Sequence, residues 1–128
     1  MSLVLDNEAL QALMDPRHPK HAQAVAHATV TITHDRPLMV PATVMVEAEW
    51  DRGSQRSAVL NRLAPEVDPL DEPRSRQCVR LAQVRRVGVV DAHVAALANA
   101  QTAPVTVLTS DLDDMEALTD RHVKVVRI

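Results

Sequence analysis

Short β-type runs alternate with longer helical patterns along this 128-residue chain, and this alternation constrains the fold more than any other feature. Such alternation is typical of βα units that build a parallel sheet covered by helices on both faces. The apolar patterns predict five strands, at 3–5, 38–40, 66–70, 105–109 and 123–127. They predict seven helices, at 8–14, 21–32, 42–51, 54–63, 72–87, 91–100 and 111–118, with a short apolar run at 89–90 returning to the sheet.

The length fits one domain spanning 1–128, which is large enough to bury about two thirds of the surface of its unfolded chain. The apolar runs are much shorter than the roughly 20 residues that cross a bilayer. The amino terminus lacks the basic start and long apolar centre of a secretory signal. The single Cys78 allows no intramolecular disulfide. We therefore expect a cytoplasmic protein without a membrane span.

Charge and aromatic content limit how a nucleic acid could be held. The net charge is −3, so binding would need local basic patches or a bound metal ion. Phe and Tyr are absent and only Trp50 is aromatic, which removes the stacking platforms of generic single-strand binders. Any RNA would have to be held mainly by its backbone.

Several kinds of chemistry lack the residues that they need. Gly53 and Gly88 are the only glycines, too few for a Walker loop or a dinucleotide fingerprint. The histidines show no His-Glu-x-x-His pattern, and no Gly-x-Ser-x-Gly elbow occurs. An aspartyl-phosphate reaction at Asp6 remains open as a lesser alternative, with Glu8 as its second acid.

Four carboxylates lie at or near the boundaries of predicted elements: Asp6, Glu47, Asp91 and Asp111. In a parallel sheet, the strand ends that precede them meet at one rim, where active sites are found. Asp is also a favoured N-cap, so each Asp taken singly is more simply a cap than a catalyst. Capping does not explain Glu47, which lies within a predicted helix on the face of Thr43, Val44 and Trp50 and is expected to point partly toward the core.

Bringing these acids together costs free energy through repulsion between like charges, unless a cation neutralises them. Mg²⁺ and Mn²⁺ select such oxygen ligands. One or two ions held there could polarise a phosphodiester, orient a water and stabilise the leaving oxygen. The acids therefore predict a divalent-metal site for phosphodiester hydrolysis.

At this point the motifs resemble those of PIN-domain ribonucleases, most closely the small VapC-type toxins of bacterial toxin–antitoxin pairs. The similarity covers essentially the whole chain, and its motifs lie at 4–6, 40–50, 89–98, 107–115 and 123–128. The resemblance implies a PIN-like, three-layer α/β/α fold with a five-stranded parallel sheet. It also implies a metal-dependent endoribonuclease that forms homodimers and is inhibited by a small antitoxin protein.

Carried over by position, the family's acidic site corresponds to Asp6, Glu47, Asp91 and Asp111 as catalytic and metal-binding residues. Asp114 corresponds to an accessory metal ligand. The chain departs from the family pattern at Asn7 and Glu8. The family usually has Thr or Ser after the first Asp, and Glu8 adds a charge. A decayed site would make the chain a non-catalytic RNA- or protein-binding module, which is the main alternative function.

Other candidates were weighed against these residues. Glu49 competes with Glu47, and the spacing from Pro41 favours Glu47. His93 is interpreted as a solvent-facing or packed helix residue rather than a proton donor. Several basic residues are interpreted as solvated surface charges or as residues that bind RNA or the antitoxin. They are Arg17, Lys20, Arg52, Arg56, Arg62, Arg74, Arg76, Arg80, Arg85 and Arg86.

Overall fold

Five parallel strands form one sheet in the order β3-β2-β1-β4-β5. The computed structural model describes residues 2–128. The strands are β1 (Ser2–Leu5), β2 (Leu38–Pro41), β3 (Glu66–Asp68), β4 (Val105–Thr109) and β5 (Val123–Arg127). Because every pairing is parallel, the carboxyl ends of all five strands lie at one rim of the sheet.

Seven α-helices connect and cover the strands. They are α1 (Asn7–Met14), α2 (His21–Thr33), α3 (Ala42–Glu47), α4 (Ala58–Leu63), α5 (Glu72–Val84), α6 (Val89–Ala100) and α7 (Leu112–Leu118), with a 3₁₀ turn at Gln55–Ser57. The chain moves from β1 to β3 in one direction and from β4 to β5 in the other. Right-handed crossovers therefore place α1, α2 and α4 on one face of the sheet and α5, α6 and α7 on the other.

The core lies on both sides of the two central strands. All four residues of β1 are buried, as expected for a parallel strand with helices on both faces. Leu10 and Leu13 of α1 and Leu97 of α6 are fully buried in the same cluster. The order in which the chain adds strands reverses between β1 and β4. The rim at such a switch point is where α/β sheets form clefts.

The predicted three-layer α/β/α class with a five-stranded parallel sheet is confirmed. The apolar run at 89–90 differs from expectation, because it forms the first turn of α6 behind the extended N-cap Gly88. The predicted helix at 42–51 ends early at Glu47, since Glu49 has a positive φ of 54° that interrupts the helix. Within residues 2–128, no helix combines the length and apolar character needed to cross a membrane.

Candidate metal centre

Asp6 lies at the carboxyl end of β1, where it caps α1. Its side chain is buried and accepts two hydrogen bonds, from the backbone N–H of Asn7 at 2.6 Å and from the hydroxyl of Thr109 at 2.5 Å. The Thr109 oxygen in turn accepts the backbone N–H of Asp111 at 3.0 Å. Asp6 is therefore fixed in place, and Thr109 links it to the next acid of the site.

Asp111 and Asp114 lie together at the start of α7. Asp111 is the N-cap, and its Oδ1 accepts the backbone N–H of Asp114 at 3.4 Å. Burial raises the pKa of Asp111, and the neighbouring Asp114 and Asp6 add to that rise. The pKa of Asp114 is lowered, because Arg85 donates a 2.6 Å hydrogen bond from Nε to its Oδ1.

Asp91, in the first turn of α6, is half-buried. Burial raises its pKa to about 6, and the negative charges of Asp6, Asp111, Asp114 and Glu47 contribute in that order. Each of these causes raises the pKa. One ligand atom each from Asp91, Asp111 and Asp114 lies within 4.8 Å of the others. The structure thus brings three acids of the predicted site into one group.

Asp6 and Glu47 lie outside that group of three, although their charges act on Asp91. Glu47 is the last residue of α3 and is exposed, so the expectation that it points toward the core is wrong. Val44, which was predicted to share a face with Glu47, is the buried residue of α3. Glu49 is also exposed, and its backbone has a left-handed conformation. Its charge is not among the main contributions that raise the pKa of Asp91.

Asn7 and Glu8, which depart from the family pattern, add no charge to the group of three acids. Glu8 contacts two basic residues of the same segment, with His18 Nε2 at 3.1 Å and Lys20 Nζ at 3.8 Å from its Oε1. The side-chain oxygen of Asn7 accepts a hydrogen bond from Gln11 within α1. The hydroxyl that contacts Asp6 comes from Thr109 instead.

A buried polar network anchors α6 next to the acids, and sequence reasoning missed it. His93 is fully buried, and its Nε2 lies 2.8 Å from Asp68 Oδ2 at the end of β3. Its Nδ1 lies 3.0 Å from the hydroxyl of Thr43 in α3. Arg74 of α5 donates two hydrogen bonds to Asp68, of 2.9 and 3.1 Å. The packed interpretation of His93 is confirmed, but its partners lie too far along the chain for sequence spacing to indicate them.

The donor set of the group suits a hard divalent cation. Asp91, Asp111 and Asp114 offer carboxylate oxygens only, and Mg²⁺ and Mn²⁺ prefer such ligands. The negative charges of four neighbouring acids contribute to the raised pKa of Asp91, so a cation there would relieve unfavourable repulsion. The residues therefore fit the metal that the sequence predicted.

Comparison with known proteins was made by family model, by sequence and by structure. No protein-family model matches the chain, and no curated protein matches it. A FitAB complex bound to the IR36 DNA fragment matches with a TM-score of 0.66 and 20% identity, over 98% of this chain and 94% of that chain. VapBC2 from Rickettsia felis, bound to a DNA fragment from its promoter, matches with a TM-score of 0.65 and 10% identity, over 100% and 99%. FitAcB from Neisseria gonorrhoeae matches with a TM-score of 0.63 and 20% identity, over 96% and 95%.

The likeness shows the fold. It confirms the PIN-like α/β class. The assignment to PIN-domain ribonucleases of the VapC type is wrong, because two of these three structures are Fit complexes and the Vap complex has the lowest identity of the three. The motifs follow the strand and helix boundaries of a shared architecture, and an architecture supports many functions.

Proposed function

We propose that this chain is a divalent-metal-dependent endoribonuclease and the toxin component of a toxin–antitoxin pair. The observation that carries the proposal is the convergence of Asp91, Asp111 and Asp114 within 4.8 Å at the carboxyl rim of the sheet. A bound Mg²⁺ or Mn²⁺ would polarise the phosphodiester and activate water for attack. No covalent intermediate on a side chain is needed for this hydrolysis.

Each acid has a distinct part in the proposed site. Asp91, Asp111 and Asp114 would hold the ion. Asp6 accepts two short hydrogen bonds and is rigid, so it would orient the ligands that approach it. Glu47 is exposed at the rim and adds negative charge without belonging to the group of three.

The partner proposal is supported by the kind of structures that share this fold. FitAB and VapBC2 were each solved on DNA, in one case on a promoter fragment. We infer that this chain acts in the cytoplasm with a small DNA-binding antitoxin, and that it forms a homodimer. A short reading frame directly upstream should encode that protein, and coexpression should yield a stable complex. Failure of the encoded protein to copurify would contradict the pairing.

A non-catalytic binding module is the second candidate, and specific contacts favour it. Asp6 and Asp111 both accept capping hydrogen bonds, and Arg85 already pairs with Asp114. Thermal melting with added Mn²⁺ separates the two candidates, because a ligand that binds only the folded state raises its apparent stability. A melting temperature unchanged at millimolar Mn²⁺ would favour the module.

The test of activity is cleavage of labelled RNA by the purified protein with Mn²⁺, compared with EDTA and with single-stranded DNA. Asp91→Asn should lower the rate by about 10- to 100-fold or more, since losing even a residue that supports a metal ligand typically costs about 10- to 100-fold. Asp113→Asn is the matched control, because Asp113 is an exposed acid of α7 outside the group of three. Equal RNA cleavage by wild type and Asp91→Asn, or cleavage that persists in EDTA, would remove the mechanism.

A further inference from the structure

Arg85 contacts the acidic group from outside it. The residue directly follows α5 in an extended conformation, and its Nε lies 2.6 Å from Asp114 Oδ1. The Arg85 side chain is 46% exposed, so part of it is open to solvent while it pairs with Asp114. A positive group therefore sits beside one acid of the proposed metal site.

The other acid-paired arginines of the α5 region have partners away from the group of three. Arg74 binds Asp68 in the buried network, and Arg76 pairs with Glu72 one turn earlier on the exposed face. Arg85 differs because its partner, Asp114, is a candidate metal ligand. A divalent ion at Asp114 would face the guanidinium across one carboxylate, and like charges at that spacing repel.

The Arg85–Asp114 ion pair should be easy to displace. Ion pairs at such exposed positions stabilise proteins little, because solvent screens them and holding the side chains in place costs entropy. A guanidinium that leaves Asp114 also has a use at this rim, since its planar set of donors matches the oxygens of a phosphate.

We propose that Arg85 is a displaceable counter-ion, which pairs with Asp114 in the metal-free chain and binds a backbone phosphate of the nucleic acid once a divalent ion has taken its place. This inference rests on the proposed function. It makes metal binding and RNA binding mutually reinforcing, because each removes a competitor of the other.

The first test is Mn²⁺ binding by isothermal titration calorimetry. Arg85→Gln should bind Mn²⁺ more tightly than wild type, by up to about fivefold, the most that an exposed ion pair contributes. Arg86→Gln is the matched control, because it removes the same charge from the exposed neighbouring position. Equal or weaker binding by Arg85→Gln, or equal tightening by Arg86→Gln, would overturn the inference. A wild-type chain that binds no Mn²⁺ would instead overturn the proposed function beneath it.

The second test measures how salt weakens binding of labelled single-stranded RNA. Ca²⁺ replaces Mn²⁺ in this experiment because it takes the same oxygen ligands. With Ca²⁺, Arg85→Gln should reduce the slope of log affinity against log salt by about 0.7, the loss of one phosphate contact. Without a divalent ion the two slopes should agree, since wild-type Arg85 is then held by Asp114.

Arg121→Gln serves as the control for the RNA experiment, because the exposed Arg121 precedes β5 at the opposite rim of the sheet. It should leave both slopes unchanged. A slope that is the same for wild type and Arg85→Gln in Ca²⁺ would overturn the phosphate contact. A slope difference that persists without a divalent ion would show that Arg85 binds RNA without first leaving Asp114, which contradicts the exchange.

Discussion

The hydroxyl of Thr109 donates a 2.5 Å hydrogen bond to Oδ2 of Asp6, which joins the carboxyl ends of β4 and β1. Both side chains are buried, and the same Thr109 oxygen accepts the backbone N–H of Asp111. One hydroxyl thus fixes two acids of the candidate site at the point where the strand order reverses.

Replacing Thr109 with Val removes this hydroxyl while keeping the shape of the side chain. Asp6 then loses one of its two donors in a buried position, and we expect the free energy of unfolding to fall by about 1–3 kcal/mol. Urea denaturation with EDTA present measures the loss. Thr109→Ser keeps the hydroxyl and should lose clearly less. Equal losses for the two variants would mean that the hydrogen bond stabilises this junction no more than the methyl group does.

The raised pKa of Asp91 predicts how metal-free stability depends on pH. Its folded pKa is about 6 and its ordinary value is 3.8, so folding favours the protonated form. The contribution of Asp91 to stability is therefore fully present below pH 3.8 and is lost as pH rises through about 6. Asp91→Asn stays neutral and should be more stable than wild type above about pH 7, by about 1 kcal/mol after solvent screening.

Urea denaturation of wild type and Asp91→Asn across this pH range, in EDTA, checks that prediction. The stability difference between the two proteins isolates the titration of Asp91 from that of other groups. It should shrink as pH falls from about 7 toward the ordinary range of an aspartate. A difference that does not change with pH would show that folding does not raise the pKa of Asp91.

Much of the fold and part of the site could be predicted from sequence because local rules govern them. Strand runs followed by helical patterns specify a parallel sheet, and its geometry places Asp6 and Asp111 at one rim. Both are the N-caps that their types indicate. The pair Val89–Val90 could not be assigned correctly, because a short apolar run fits a buried strand and the start of a buried helix equally well.

Contacts between distant parts of the chain carried no local signal. Arg85 and Asp114 are separated by 29 positions, and His93 and Asp68 by 25. Only tertiary packing places the Arg85–Asp114 pair beside the acidic group and buries the contact between His93 and Asp68. The family assignment was wrong for a related reason. Motifs at element boundaries follow the architecture, which these structures share at identities of only 10–20%.

Glu47 and Glu49 should differ in their effect on Asp91. The charge of Glu47 is among the main contributions to the raised pKa of Asp91, whereas that of Glu49 is not. Glu47→Gln should lower the titration midpoint of Asp91 by less than about one pH unit, as expected for one distant like charge. Glu49→Gln should leave it unchanged. Carbon-13 NMR of the aspartate carboxyls measures both midpoints, and equal shifts would show that the two glutamates are equivalent.

Arg74 and Arg76 lie on the same helix, and the burial of their acid partners predicts very different effects. Burial alone would raise the pKa of Asp68, but the hydrogen bonds from Arg74 and His93 outweigh it and lower that pKa. Arg74→Met removes the positive charge that pairs with this half-buried carboxylate. It should lower the free energy of unfolding by about 3 kcal/mol.

Arg76→Met breaks only an exposed pair with Glu72 and should cost less than about 1 kcal/mol. Urea denaturation at neutral pH compares the two variants. Because the pKa of Asp68 is lowered from 3.8, its contribution is present above pH 3.8 and is lost as pH falls through the folded value. The Arg74→Met deficit should therefore shrink in acid. Equal costs for both variants at neutral pH would show that the Asp68 network does not hold α6 in place.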